Sequence, residues 1–150
     1  MIRFSDAHAY KDFKAGIQVW HVMNLMTDEQ DRRVRIAAIK IFSNLCVEWS
    51  ILPEKSFGLL GFADAEELFA WQNGDLDRVN NDKALEMLSH LMEIYKLLHQ
   101  IFVNQAQANA WILKANSDFY GASTFSYIME NGLAGASRVR LYLEQQYMMH

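Results

Sequence analysis

The chain has 150 residues, of which 51% are hydrophobic and 13% aromatic, and it carries a formal net charge of −4 at pH 7. This length and composition predict one compact domain with a single core, and they exclude a disordered chain. The negative charge also argues against a surface that attracts nucleic acid everywhere, although a local basic patch would not show in the sum.

Helix breakers are scarce, since the sequence contains one proline and seven glycines, and this scarcity favours helices over strands. Apolar residues at steps of three and four predict a first helix over about residues 7–26. A cap followed by acidic residues at 27–30 predicts the start of a second, longer helix that ends at about Ser50. The N-terminal part is therefore predicted to be helical.

The segment from Pro53 to Gly74 has the outline of a helix-turn-helix. A short helix begins at the proline and stops at Gly61, and Asp64 with Glu67 predicts a capping-box start for a second short helix. Acidic side chains on that second helix disfavour DNA binding, because they repel phosphates. Four basic residues of the preceding helix could supply a DNA-binding patch or lie on a solvated face: Arg32, Arg33, Arg35 and Lys40.

The C-terminal half contains the cleanest amphipathic pattern of the chain, which predicts a central helix from Ala84 to Phe102. After it we predict a helix over 106–115, a loop over 116–121, a short helix that closes at Asn131-Gly132 and a last helix through Leu143. The expected fold is an all-α, compact helical bundle. Its helix-turn-helix-like region covers residues 1–82, and a second region covers residues 83–150.

Catalytic signatures are missing from the sequence, which has no glycine-rich phosphate loop, no nucleophile elbow and no metal-binding cysteine cluster. We therefore predict a protein that is not an enzyme and holds no cofactor. Asp75, Asp77 and Glu86 have the spacing of a calcium loop, but the glycine that such a loop needs is absent. Glu86, His90 and Glu93 share a helical face and could ligate a metal, although such spacings also arise by chance.

Cys46 is the one cysteine, and it lies on the apolar stripe of its helix, where a buried and inert thiol is expected. It cannot form an internal disulfide. The first residues lack the basic and then apolar run of a signal peptide, and no apolar run approaches the roughly 18 residues of a membrane span. These features predict a cytoplasmic protein without a membrane segment.

Aromatic residues lie in and beside the polar loop that a glycine closes, namely Phe119, Tyr120 and Tyr127. Exposed aromatic side chains with neighbouring arginines are typical of protein-binding hot spots. The same rings could instead fold back into the core, because aromatic side chains bury large areas. The sequence leaves both interpretations open.

An ordered series of residues marks the C-terminal half: Ala110-Trp111-Ile112-Leu113, Asn116, Phe119, Gly121, Ile128, Gly132 and Arg138-Val139-Arg140-Leu141-Tyr142-Leu143. This series resembles the toxin-binding domain of the Xre/MbcA/ParS-type antitoxins of bacterial toxin–antitoxin pairs. Residues 49–62 and 71–74 look like the helix-turn-helix half of the same proteins, so the resemblance covers about residues 34–143. Ala115 and Thr124 stand where the family usually has prolines, which predicts a less rigid loop.

The resemblance implies an antitoxin, usually dimeric, whose C-terminal part covers the active site of a RES-domain toxin that consumes NAD. The toxin would hold that cofactor, and the N-terminal half would repress the operon by binding operator DNA. The alternative functions are a helix-turn-helix transcriptional regulator without a toxin and a helical adaptor or dimerisation module. Trp111 is expected to anchor the core beneath the toxin-facing residues, which are Asn116, Phe119, Tyr120, Gly121, Arg138 and Arg140.

Overall fold

The fold is all-α over residues 28–149, which are the residues that the computed structural model describes. The predicted fold class is thereby confirmed, whereas the helix predicted over residues 7–26 lies outside the described range. The helices are α1 at Asp28–Glu48, α2 at Ala65–Asn73, α3 at Asn81–Ile101, α4 at Gln105–Ala110 and α5 at Thr124–Met148. Short 3-10 turns lie between them at Pro53–Lys55, Phe57–Leu60, Leu76–Arg78, Trp111–Leu113 and Ser117–Phe119.

The central helix is α3, as its amphipathic pattern predicts. Leu88, Leu91 and Leu98 are fully buried, and the helix packs chiefly against α5. Burial of each such side chain stabilises the fold by about 1.5–3 kcal/mol. Within residues 28–149, every helix is too short or too polar to cross a lipid bilayer.

The turns of the helix-turn-helix-like segment form where the sequence predicts them. Gly61 and Gly74 both adopt left-handed backbone angles, with φ of 80° and 84°, which glycine tolerates best. Asp64 caps α2 by accepting a 2.9 Å hydrogen bond from the Glu67 amide. The Glu67 carboxylate in turn accepts from the amide of Ala63 at 2.9 Å. The segment differs from the expectation in that its first helix is two 3-10 turns.

A break in α5 occurs at Gly132, whose φ of 60° and ψ of −136° are not helical. The predicted end of a short helix at Asn131-Gly132 is thus present, and the Asn131 side chain donates a 2.9 Å hydrogen bond to the carbonyl of Tyr127. This bond satisfies a carbonyl group near that helix end. A second helical part of α5 follows this kink, as predicted, and it continues beyond Leu143 to Met148, farther than predicted.

Candidate protein-binding surface

The loop that precedes α5 is organised by Asn116. Its backbone amide donates to the carbonyl of Ala122 at 3.0 Å, and its own carbonyl accepts from the amides of Phe119 and Gly121, both at 3.0 Å. Its side-chain oxygen accepts from the Asp118 amide at 2.9 Å. These hydrogen bonds close the loop, which contains no proline. Asn116 therefore fixes the conformation of the loop, and its side chain is engaged within the loop.

Phe119 is a core residue, since only 1% of its surface is exposed. Its ring lies 5.0 Å from the Tyr127 ring and 5.3 Å from the Tyr142 ring, and it meets Trp111 edge to face at 6.3 Å. The assignment of Phe119 to a partner-facing surface is thereby corrected, because this aromatic cluster removes the ring from solvent. Trp111 is half-buried in the same cluster, which agrees with its expected anchoring position.

Tyr120 points the other way, and 80% of its surface is exposed. Its backbone is left-handed, with φ of 62°, a conformation that costs a bulky residue roughly 1–2 kcal/mol. Gly121 follows with φ of 79° and is also exposed. The loop thus holds a large aromatic side chain in solvent in a strained conformation.

Arg138 joins Tyr120 on this surface. Its guanidinium carbon lies 6.0 Å from the centre of the Tyr120 ring and 5.9 Å from that of Tyr127, within the range of cation–π attraction. The side chain is exposed, and hydrogen bonding to Tyr120 raises the pKa of the guanidinium further, so the group stays charged. Tyr120, Gly121 and Arg138 are called the Tyr120–Arg138 surface below.

Arg140 does not belong to this surface. It forms an ion pair with Glu144, one turn along α5, at 3.0 Å. Residues two positions apart on a helix point about 200° apart, so Arg140 lies on the side of α5 that approaches His90 of α3. The grouping of Arg138 with Arg140 on a single surface is therefore corrected.

Sequence reasoning missed Tyr142 and Asp118 as parts of this region. The Tyr142 hydroxyl donates a 2.7 Å hydrogen bond to the Asp118 carboxylate. Burial, then this bond, raises the pKa of Tyr142, so the phenol remains a neutral donor. A detectable signal was the four-residue step from Arg138 to Tyr142, which places both side chains on one helical face.

The four basic candidates for DNA contact differ in their exposure. Arg35 is partly buried and donates to the carbonyl of Trp71 at 3.3 Å, so it joins α1 to the end of α2. Lys40 lies five residues, about 1.4 helical turns, beyond Arg35 and is exposed, as are Arg32 and Arg33. The outer side of α2 presents Glu66 and Phe69 instead of basic residues. Nothing in this geometry strengthens the case for DNA.

The candidate metal ligands and Cys46 do not form a reactive site in the described part of the chain. No group of three His, Cys, Asp or Glu residues within 28–149 is arranged to hold a metal ion, and this includes Glu86, His90 and Glu93. Cys46 is buried, and this burial raises its pKa to about 12, although a hydrogen bond with Ser56 opposes the shift. The predicted inert thiol is consistent with that environment.

Comparison with known proteins identifies a relative in Sinorhizobium fredii. The chain is 29% identical over 112 residues to uncharacterized protein y4oB of Sinorhizobium fredii (strain NBRC 101917 / NGR234), and the matched part spans 73% of this chain and 84% of that protein. No family model matches the chain. No solved structure matches it either. The name of this relative states no activity, so functional inference depends on the chain's own residues.

Proposed function

We propose that this chain is an antitoxin-like protein that neutralises a RES-type, NAD-consuming toxin by covering its active site with the Tyr120–Arg138 surface. The observation that carries the proposal is Tyr120 itself, which is 80% exposed in a left-handed backbone conformation beside a charged arginine. Local strain of this kind persists where the surrounding structure enforces it, and it clusters at functional sites. The resemblance of residues 110–143 to toxin-binding domains supplies the class of partner.

Binding to a protein suits the chemistry of this surface better than catalysis does. Tyrosine and arginine dominate interface hot spots, because each combines a large apolar area with hydrogen-bond donors. The aromatic cluster beneath the loop keeps the surface preshaped, which lowers the entropy that is lost on docking. An interface of about 1,600 Å² built around such anchors would release its partner slowly.

The test searches the genes beside that of this chain for a RES-domain toxin and co-expresses that toxin with the chain. The wild-type chain should restore growth, co-purify with the toxin and stop NAD loss in the lysate. Tyr120→Ala combined with Arg138→Glu should abolish all three effects while the helical circular dichroism stays unchanged. Phe119→Ala is unsuited to this test, because truncating a buried phenylalanine costs about 3–5 kcal/mol of stability.

The matched control is Tyr147→Ala combined with Arg32→Glu, which makes the same two chemical changes at exposed positions outside the surface. This control should protect cells like the wild type. Equal protection by the Tyr120 and Arg138 variant would contradict the proposal, as would failure of the wild-type chain to bind the toxin.

The same purified chain and the neighbourhood of its gene test the two other functions. Gel shifts with upstream DNA at low salt would reveal a transcriptional regulator, since phosphate contacts make binding strongly dependent on salt. A homodimer fits an antitoxin as well as an adaptor, so the absence of a toxin gene beside that of this chain is the observation that would favour a helical adaptor or dimerisation module.

A further inference from the structure

The conformation of the loop that carries Tyr120 is set by its own backbone, whereas its position also depends on contacts with α5. Its backbone hydrogen bonds join residues of the Asn116–Ala122 segment to one another. Bonds of this kind define the local turn, and the chain link through Ser123 ties the turn to the start of α5. Side-chain contacts with the second part of α5 act on both features: they set where the turn lies over residues 138–142, and they oppose its opening.

Tyr142 of α5 makes these contacts with both parts of its side chain. Its ring stacks on Trp111 at 6.4 Å with an interplanar angle of 17°, and it meets the Phe119 ring edge on at 5.3 Å. Its hydroxyl donates to Asp118 at 2.7 Å, and the Asn116 side chain also forms a hydrogen bond with it. One residue of α5 therefore contacts the first half of the loop through packing and through polar groups.

The spacing of these contacts matches the spacing of the surface. Tyr142 follows Arg138 by one helical turn on the same face of α5. Asp118, which bonds to Tyr142, precedes Tyr120 by two residues in the loop. When the hydrogen bond holds Asp118 next to Tyr142, Tyr120 is therefore held next to Arg138.

We propose that Tyr142 is a positioning residue for partner binding, which holds Tyr120 against Arg138 through its hydrogen bond to Asp118. This inference rests on the proposed function, because it assigns the hydroxyl a purpose in docking. The hydroxyl group, and not the ring, performs this positioning. Tyr142→Phe separates the two, because it keeps the ring contacts with Trp111 and Phe119 and removes only the oxygen.

The experiment compares Tyr142→Phe, Asp118→Ala and Asp118→Asn in the full chain. Amide hydrogen exchange is followed at Phe119, Tyr120 and Gly121, with a buried α3 amide at Leu91 as the internal reference. Loss of the bond should speed exchange in the loop about tenfold and leave the reference unchanged. Asp118→Asn should exchange like the wild type, because its amide oxygen still accepts from the hydroxyl.

Affinity for the RES-domain toxin is measured on the same variants. Tyr142→Phe and Asp118→Ala should each weaken binding about tenfold, and the double variant should be no weaker than either. Additive effects, or loop exchange that is unaltered in Tyr142→Phe, would overturn the inference. Should the wild-type chain bind no toxin, the proposed function fails, while the exchange data still decide whether Tyr142 positions the loop.

Discussion

The side-chain amide of Asn109 in α4 donates a 2.7 Å hydrogen bond to the carboxylate of Glu48 at the end of α1, across 61 residues of sequence. The oxygen of the same amide lies 2.8 Å from the Nε2 atom of His99 in α3. All three side chains are partly buried, so their mutual contacts replace contacts with water. One asparagine thereby links three helices.

Asn109→Ala should lower the free energy of unfolding by about 1–3 kcal/mol, because it removes both hydrogen bonds from partly buried groups. Asn109→Asp should cost more at neutral pH, since it places a second carboxylate against Glu48. Urea unfolding followed by circular dichroism measures both changes. Gln107→Ala, at an exposed position of the same helix, is the control and should stay within about 0.5 kcal/mol of the wild type. An Asn109→Ala value in that same range would show that the link contributes nothing.

Tyr120→Gly should make the chain more stable and, at the same time, prevent it from binding the toxin. Glycine adopts φ near 60° without steric cost, so relief of backbone strain should raise the free energy of unfolding by roughly 0.5–1 kcal/mol after the entropy of the unfolded glycine is counted. The loss of the exposed ring should abolish toxin binding. Thermal unfolding and co-purification are the two measurements.

Ser50→Gly is the control for this pair of effects. Ser50 also has a left-handed backbone, with φ of 56°, and is exposed, but it lies outside the Tyr120–Arg138 surface. Its replacement should give a similar gain in stability and leave toxin binding intact. If Tyr120→Gly binds the toxin as the wild type does, the strained tyrosine is not the anchor of the interface.

Cys46 should react slowly with a disulfide reagent such as Ellman's reagent in the native chain. Burial raises the pKa of the thiol from 9.0 to about 12, which reduces its thiolate fraction at pH 8 about a thousandfold, and only the thiolate attacks. The reaction should accelerate by that factor or more in 8 M urea, where the thiol regains its ordinary pKa. Native and unfolded rates that differ by less than about tenfold would contradict the burial of this side chain.

Local signals in the sequence predicted the turns of this fold well. Gly61, Gly74 and Gly132 depart from right-handed helical geometry where helix ends were expected, because glycine alone tolerates such angles freely. Asp64 caps α2 for a similarly local reason, since its partner lies three residues away. These elements required no knowledge of tertiary structure.

The division of the aromatic residues between core and surface could not be predicted in that way. Phe119 is buried because Tyr127 and Tyr142, both on α5, close over it, and their approach depends on how α5 packs. Tyr120 is exposed because its left-handed backbone turns its ring away from that cluster. The separation of Arg138 from Arg140, in contrast, follows from helix geometry alone and was available in the sequence.

His90 should make the stability of the chain depend on pH. Burial lowers the pKa of its ring, and the neighbouring Arg140 acts in the same direction. Glu86 and Glu93 of α3 and Glu144 of α5 oppose the shift without cancelling it. The Nδ1 atom of His90 is buried and has no hydrogen-bond partner within residues 28–149, so protonation there would place a charge where nothing accepts its proton.

The direction of the effect follows from proton linkage. The unfolded chain takes up a proton at the ordinary histidine pKa of about 6.5, whereas the folded chain does so only at lower pH. The contribution of His90 to stability is therefore complete above that ordinary value. It decreases as the pH falls from about 6.5 towards the lowered pKa of the folded state. His90→Gln, which is neutral throughout, should lack this decrease.

Urea unfolding of the wild type and of His90→Gln at pH 7.5, 6.5 and 5.5 measures the effect as a difference. Titration of the other groups is common to both chains, so it cancels when the two free energies of unfolding are subtracted. The wild type should lose stability relative to the variant chiefly between pH 6.5 and 5.5, and only slightly between pH 7.5 and 6.5, where the unfolded ring takes up less of its proton. Parallel curves over the whole range would mean that the ring is as accessible to protons in the folded chain as in the unfolded one, and that α3 and α5 do not bury it.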